Sequence, residues 1–386
     1  MVFLMLKKIY EKTKYEGCIL LFLLAQLFVF LPDKEGIQLW EVAIYLTDYS
    51  RGYMPRALLG EIITWFSDTV TLELFYGISV VSAVLLCLAT AIFGGYLIKN
   101  IKQKNAVIAI LAVMLGSPVF MPLFSSWLGL MDVYLIILTF IAFAFNENKF
   151  LRFSIPVIAL VCTAIHHAYL FLYMVPLAIA LLYDFFKNKK YVRDGILCGV
   201  TYISLIAMGL FTVKTRSSNG YNSIDEIIDA ALSKTDIPIP REWLQEIVPN
   251  EYMTGVDYLS DKFAPTMTVA NLLGLIAIFA PLFAVFGYCW IKALKNSSDK
   301  AEKFTFFLCL IHPLSTVPAY IFGLNWNRWT SAIITSQCIL FLFMLYRKNE
   351  SVEAVFEKIL LFFKKHFAII VFYIIYFASF AKLLGM

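Results

Sequence analysis

The sequence predicts an all-α, polytopic membrane protein with about eleven transmembrane helices. Three observations carry this. The 386-residue chain is 61% hydrophobic and only 15% charged, whereas soluble domains carry about 25% charged residues. Its mean hydropathy is +0.77. Its apolar runs recur along the whole length and are continuous rather than alternating, which fits helices and excludes a transmembrane barrel. Residues 1–386 therefore read as one integral membrane domain. The net charge of +5 is spread over short loops, as a cytoplasmic membrane face requires, and gives no patch for nucleic acid.

A span needs about 20 apolar residues. Runs of that kind lie near 15–32, 73–98, 105–122, 127–145, 153–167, 168–183, 195–213, 267–291, 304–323, 329–346 and 367–385. The first follows four lysines and has no small-residue cleavage site after it, so it reads as an uncleaved signal anchor. The run 153–183 is long for one span and short for two. Dividing it at His166-His167 spares a histidine pair from bilayer depth; the alternative is one long tilted helix, which would invert everything downstream. His312-Pro313 falls inside the ninth run, where a proline kink frees backbone carbonyls that the histidine can satisfy.

Lys and Arg set the orientation. With the N-terminus in the cytoplasm, the inside segments are 1–17, 99–104, 146–152, 184–194, 292–303 and 347–366. They hold 4, 3, 2, 4, 4 and 5 basic residues, 22 of the chain's 32. Every inside segment is then basic. Two outside loops are long: 33–72 and 214–266, the second with nine acidic and five basic residues. In the second, Ser223-Ile-Asp-Glu226 has capping-box spacing. Ile224, Ile227, Ile228, Ala231 and Leu232 follow at helical spacing, predicting a surface helix. The seven cysteines all fall in or beside spans without CxxC spacing, so they read as packing residues.

The unusual polar residues gather on the outer face. The first loop contains Asp48-Tyr-Ser-Arg-Gly-Tyr-Met-Pro-Arg-Ala-Leu-Leu-Gly-Glu61, where Arg56 opens a predicted surface helix. Asp132 lies just inside the fourth span. His166 and His167 occupy the turn between spans five and six. Asn325-Trp-Asn-Arg-Trp329 precedes span ten, and Arg216 begins the long loop. Each has a plain reading: Arg51 and Arg56 can meet lipid phosphates, Asp132 an arginine, and Arg328 its flanking tryptophans. The functional reading rests on their convergence. Arginines grip phosphate bidentately, and a carboxylate or histidine takes a proton from an attacking hydroxyl.

That set suits a lipid-linked anionic substrate, and glycosyl transfer from a polyprenyl-(di)phosphate sugar fits its requirements. The leaving group is a stabilised anion that arginines can hold. No phosphate-binding glycine loop or dinucleotide fingerprint is present, which favours a lipid-linked over a nucleotide-linked donor. Asp48 is the expected base, with Glu61 the other choice. Arg51, Arg56, Arg216 and Arg328, with Trp329 beside them, are expected to bind substrate. Asp132 and His166 or His167 would orient a hydroxyl or an arginine. A divalent metal bridging Asp48 and the diphosphate is compatible with these residues but not demanded by them.

The segment Gly52-Tyr-Met-Pro-Arg-Ala-Leu-Leu-Gly60 is similar to a Gly-aromatic-x-x-Arg-x-Leu-x-Gly pattern of bacterial envelope-polysaccharide membrane proteins. Asn325-Trp-Asn-Arg-Trp329 resembles their Asp-x-x-Arg-Trp element, with Asn325 in place of the acid. The arrangement thus resembles GT-C-type membrane glycosyltransferases and Wzy-type O-antigen or capsule polymerases. The resemblance implies a functional acid in the first outer loop, here Asp48 or Glu61. It also implies a polyprenyl-linked saccharide and membrane lipid as partners, and residence in a bacterial cytoplasmic membrane. A transporter or flippase of lipid-linked saccharides is the rival; it usually shows an inverted repeat with charges at mid-bilayer, and no repeat is visible.

Overall fold

The computed structural model describes residues 2–54, 56–116, 121–187, 191–215, 223–247, 269–322, 326–373 and 375. Among them the chain is helical, with no strand. Helix α1 (Val2–Phe30) leads into the first loop, which carries α2 (Leu39–Val42), a 3-10 turn (Ala43–Tyr45) and α3 (Leu58–Thr64). Then follow α4 (Leu72–Asn100), α5 (Lys104–Gly116), α6 (Asp132–Asn146), α7 (Ile155–Ile165), α8 (Met174–Lys187) and α9 (Tyr191–Thr215). Two short helices, α10 (Ile224–Leu232) and α11 (Arg241–Ile247), precede α12 (Val269–Asn296). After it come α13 (Lys300–Ile311), α14 (Val317–Phe322), α15 (Trp326–Tyr346) and α16 (Glu350–Lys365).

Six of the described helical stretches are long and apolar enough to cross a membrane: Thr13–Phe30, Leu72–Asn100, His167–Lys187, Val192–Phe211, Leu273–Asn296 and Trp326–Tyr346. Three shorter apolar helices, Lys104–Leu115, Asp132–Asn146 and Leu151–Ile165, stand where further spans are expected. The eleventh expected span, 367–385, lies largely outside the described residues. Burial supports the same class from a different side. Helix α9 exposes Val192, Ile196, Val200, Ile203, Ile206 and Leu210 along one face, and α4 exposes Val81, Leu85, Leu88 and Ile92. Outward apolar stripes of this length suit hydrocarbon, not water.

The core helix is α15, buried almost throughout. It packs against α5 and α8, with α14 and α16 at its ends and α4 touching its side. Helix α1 lies along α4, and α12 pairs with α13. The break at His166 is real. Helix α7 stops at Ile165, His166 is extended (φ −157°, ψ 115°), and a 3-10 turn (His167–Leu170) restarts the chain toward α8. The ninth run is broken as well: α13 ends at Ile311, a 3-10 turn covers His312–Thr316, and α14 follows. Pro313 has no N–H for the carbonyl of Cys309. Gln337 supplies it, its Nε2 donating to Cys309 O at 2.9 Å. The expected partner, His312, instead places Nδ1 3.2 Å from that same amide nitrogen, while Trp290 Nε1 donates to Gln337 Oε1 at 2.6 Å.

Polar residues collect at the two ends of the central helices. Asp132 and Asn146 bound α6, about 21 Å apart at 1.5 Å per residue. Arg328 and Arg347 bracket α15 over about 28 Å. At the Asn146 end, Arg347 grips Asp184 through Nε (2.7 Å) and Nη2 (2.5 Å) and reaches Glu147 at 2.7 Å. Asn146 Nδ2 donates to Asp184 at 2.6 Å, and buried Arg152 pairs with Asp194 at 3.1 Å. This network ties α6, α8, α9 and α15 together at one end.

Candidate functional site

The opposite end is built by the first loop entering the bundle. Glu41, Val42, Ala43, Ile44, Tyr45, Leu46, Thr47 and Asp48 are all buried, so α2 and its following turn are interior, whereas Trp65 and Phe66 after α3 are exposed. Gly60 makes the seating of α3 possible: a Cβ there would lie 1.9 Å from Thr47 O and 2.8 Å from Tyr45 O. Seated this way, Glu61 accepts hydrogen bonds from Tyr49 N–H (2.9 Å) and Trp65 Nε1–H (3.2 Å). Tyr45 donates its hydroxyl to Gly129 O at 2.6 Å, with Tyr134 Oη 3.4 Å away. Gly129 has φ +97°, and a Cβ there would strike Phe75.

Asp132 and Arg328 meet at the head of α6 and α15. Nε of Arg328 donates to Asp132 Oδ2 at 2.5 Å, and Nη2 approaches the same oxygen at 2.5 Å without hydrogen-bond geometry. Both side chains are buried. The guanidinium also sits over the ring of buried Trp329, 4.8 Å from its centroid.

Glu41 completes this group. It is 0% exposed and neither carboxylate oxygen takes a hydrogen bond. Burial pushes it well above the usual carboxylate range; the charge of Arg328 draws it back and that of Asp132 pushes it further up. One cation, paired with Asp132, thus also lies within electrostatic reach of a second buried acid.

The histidine pair adjoins the same arginine. His166 is buried, and its Nδ1 accepts from Ala168 N–H at 3.0 Å. Burial holds it well below the ordinary histidine value, reinforced by the charges of Arg56, Arg328 and His167. His167 turns toward Arg56, whose Nε and Nη2 lie 3.5 and 3.3 Å from its ring nitrogens. Arg56 sits at φ +68°, a left-handed conformation that a non-glycine residue adopts at a cost of about 1–3 kcal/mol.

The remaining expected residues form a second layer. Asp48 is ion-paired with Lys234 and accepts from Ser50 N–H (3.0 Å) and Oγ–H (2.7 Å). Burial alone would raise it, but the bonds from Lys234 and Ser50 leave it below the usual carboxylate value. Arg51 is ion-paired with Glu226. Lys234 and Glu226 belong to the long loop, which lies across the first: Val70 N–H donates to Lys234 O at 2.7 Å, and Thr235 Oγ1 to Val70 O at 2.6 Å. Helix α10 forms where expected, with Ser223 Oγ capping Glu226 N–H at 3.2 Å, and Ile227 packs on Met54 and Ala57. Arg216 lies outside the described residues.

The geometry therefore joins Arg56 to His167 and Arg328 to Asp132, with His166 beside His167 and within electrostatic reach of both arginines, and gives Asp48, Arg51 and Glu61 other partners. Glu41 and Lys234 are additions that sequence reasoning missed. Among the described residues no group of three His, Cys, Asp or Glu is arranged to hold a metal. In comparisons with known proteins, no family model, no curated protein and no solved structure matches the chain.

Proposed function

We propose that the protein is an integral membrane glycosyltransferase that uses a polyprenyl-(di)phosphate-linked sugar on the extracytoplasmic face of a bacterial membrane, in surface polysaccharide assembly. The observation that carries this reading is the cluster of Arg56, His167, His166, Arg328 and Asp132, drawn from four separate segments to one end of the bundle. The basic loops cluster at the other end, which supports an N-terminus in the cytoplasm.

In this reading Arg56, half-buried beside His167, receives the phosphate. Arg328 is held by Asp132 and supplies positive potential behind it. Reaction forms the bond from acceptor oxygen to anomeric carbon and breaks that carbon's bond to phosphate oxygen. The phosphate leaves with the electron pair, and the acceptor proton passes to a carboxylate of the site. Asp48 is a weaker candidate for that role in this arrangement, because Lys234 and Ser50 occupy it and lower its basicity. The Asp48–Lys234 and Arg51–Glu226 pairs instead hold the long loop over the site. Membrane helices with outward apolar faces leave the polyprenyl tail in the bilayer while its head group enters.

The test is surface polysaccharide in cells carrying Arg56→Ala. The polymer should be lost while the protein still reaches the membrane; normal polymer amount and length would sink the assignment. A cysteine placed at 223–234 should react with an impermeant reagent on intact cells, and labelling only after lysis would reverse the orientation.

A further inference from the structure

Three carboxylates are buried at this end of the described residues, and two are spoken for. Asp132 is paired with Arg328, and Asp48 with Lys234 and Ser50. Glu41 alone of the three takes no hydrogen bond on either oxygen. Leaving such a group buried without a partner is unfavourable, and folding alone does not explain why this segment keeps one. Within electrostatic reach of it are Arg328 of α15, Asp132 of α6 and Tyr45 of the adjoining 3-10 turn, and Arg328 acts on His166 as well. Two acids sharing one cation make a proton site, since like charges oppose double ionisation.

We infer that, in the glycosyl transfer proposed above, Glu41 is the group that removes the proton from the acceptor hydroxyl. The inference rests on that reading. The ionised Glu41 accepts the proton as the acceptor oxygen bonds to the anomeric carbon and the phosphate departs with its electrons; the proton then returns to solvent. Arg328 offsets the charge of the ionised form while Asp132 opposes it, so the basicity of Glu41 stays above that of Asp48, whose lysine partner lowers it. A general base works best when its proton affinity approaches the operating pH. Full burial means that the acceptor reacts inside the bundle, where water is kept from the donor.

The experiment follows release of polyprenyl diphosphate by purified protein in lipid nanodiscs, as a function of pH. The unmodified protein should show a rate that rises with pH to a plateau. Glu41→Gln should lower kcat at least about 100-fold and remove the rise, Glu41→Asp should retain activity with the rise displaced, and Asp48→Asn should keep the rise. Infrared difference spectra should show a protonated-carboxyl band that titrates with the rate and disappears in Glu41→Gln, a readout that needs no turnover by the variant. If Glu41→Gln keeps kcat within a few fold and the rise intact, or if the band survives, Glu41 is not the base. If the unmodified protein releases no lipid diphosphate, the glycosyl-transfer reading itself fails, whatever Glu41 does.

Discussion

Replacing Asp132 with Asn strands the Arg328 charge inside the bundle. Breaking one side of a buried ion pair costs about 3–5 kcal/mol, and both side chains here are only 5–6% exposed. The position of Glu41 makes the cost unequal. In Asp132→Asn, Arg328 still faces a carboxyl that can ionise, so the loss should fall near about 3 kcal/mol. In Arg328→Met, two buried acids lose their shared cation, and the loss should approach about 5 kcal/mol. Glu41→Gln alone should be near neutral, because Glu41 takes no hydrogen bond. Combined with Asp132→Asn it should be costly, since no carboxylate then remains for Arg328. The coupling between the two changes should be about 1–3 kcal/mol, within the range for residues in one charged network. Denaturant unfolding in mixed micelles, followed by tryptophan fluorescence, measures all four proteins. Simple additivity of Asp132→Asn and Glu41→Gln, or a loss below about 1 kcal/mol in Asp132→Asn or Arg328→Met, would refute the view that one cation serves two acids.

Three further outcomes follow from the packing and the charges. Gly60→Ala should displace α3 and cost about 1–3 kcal/mol, because its Cβ would overlap Thr47 O at 1.9 Å; an unchanged unfolding midpoint would mean that α3 seats differently. Gln337→Leu removes the donor to Cys309 O and the acceptor for Trp290 Nε1. It should cost about 2–5 kcal/mol for two orphaned groups, read from the same unfolding curves, and a neutral effect would deny Gln337 its role at the Pro313 break. His166 is held below its unfolded value of about 6.5 by burial and neighbouring arginines. The unfolded state therefore binds more protons as pH falls, and stability should drop below pH ~6.5 by up to about 1.4 kcal/mol per unit. His166→Asn should flatten that part of the profile, and an identical profile would show that His166 titrates normally.

Much of this architecture was legible because its physics is local. The division at His166-His167 follows from the cost of placing histidines in hydrocarbon, and α10 follows from Ser223 and a 3.6-residue apolar period. Asp132 drew notice as an acid inside an apolar run, and its pairing with Arg328 fulfils the plain reading offered for it. Glu41 satisfied the same criterion, standing in Ile37-Gln-Leu-Trp-Glu-Val-Ala-Ile-Tyr-Leu46. That run falls in the 33–72 segment, which span lengths and loop charges place outside the membrane, so an acid there carries no signal of burial. Interior placement of a loop depends on close tertiary approach, here of Gly60 to Thr47, which no window of sequence displays. The pairing of Asp48 with Lys234 spans 186 positions and was hidden for the same reason: either residue alone looks like an ordinary loop charge. Gln337 is not legible in sequence because a single amide in a buried helix carries no periodic signal, although the missing N–H of Pro313 implies the need for a donor.

The activity proposed for this membrane protein is cleavage of the bond between a sugar and a lipid-linked phosphate. Purified protein in nanodiscs, supplied with a polyprenyl-diphosphate sugar and an acceptor saccharide, should release polyprenyl diphosphate in step with acceptor elongation, and Arg56→Ala should abolish both. Passage of the intact donor across a proteoliposome bilayer, with no bond cleaved, would instead make the protein a transporter.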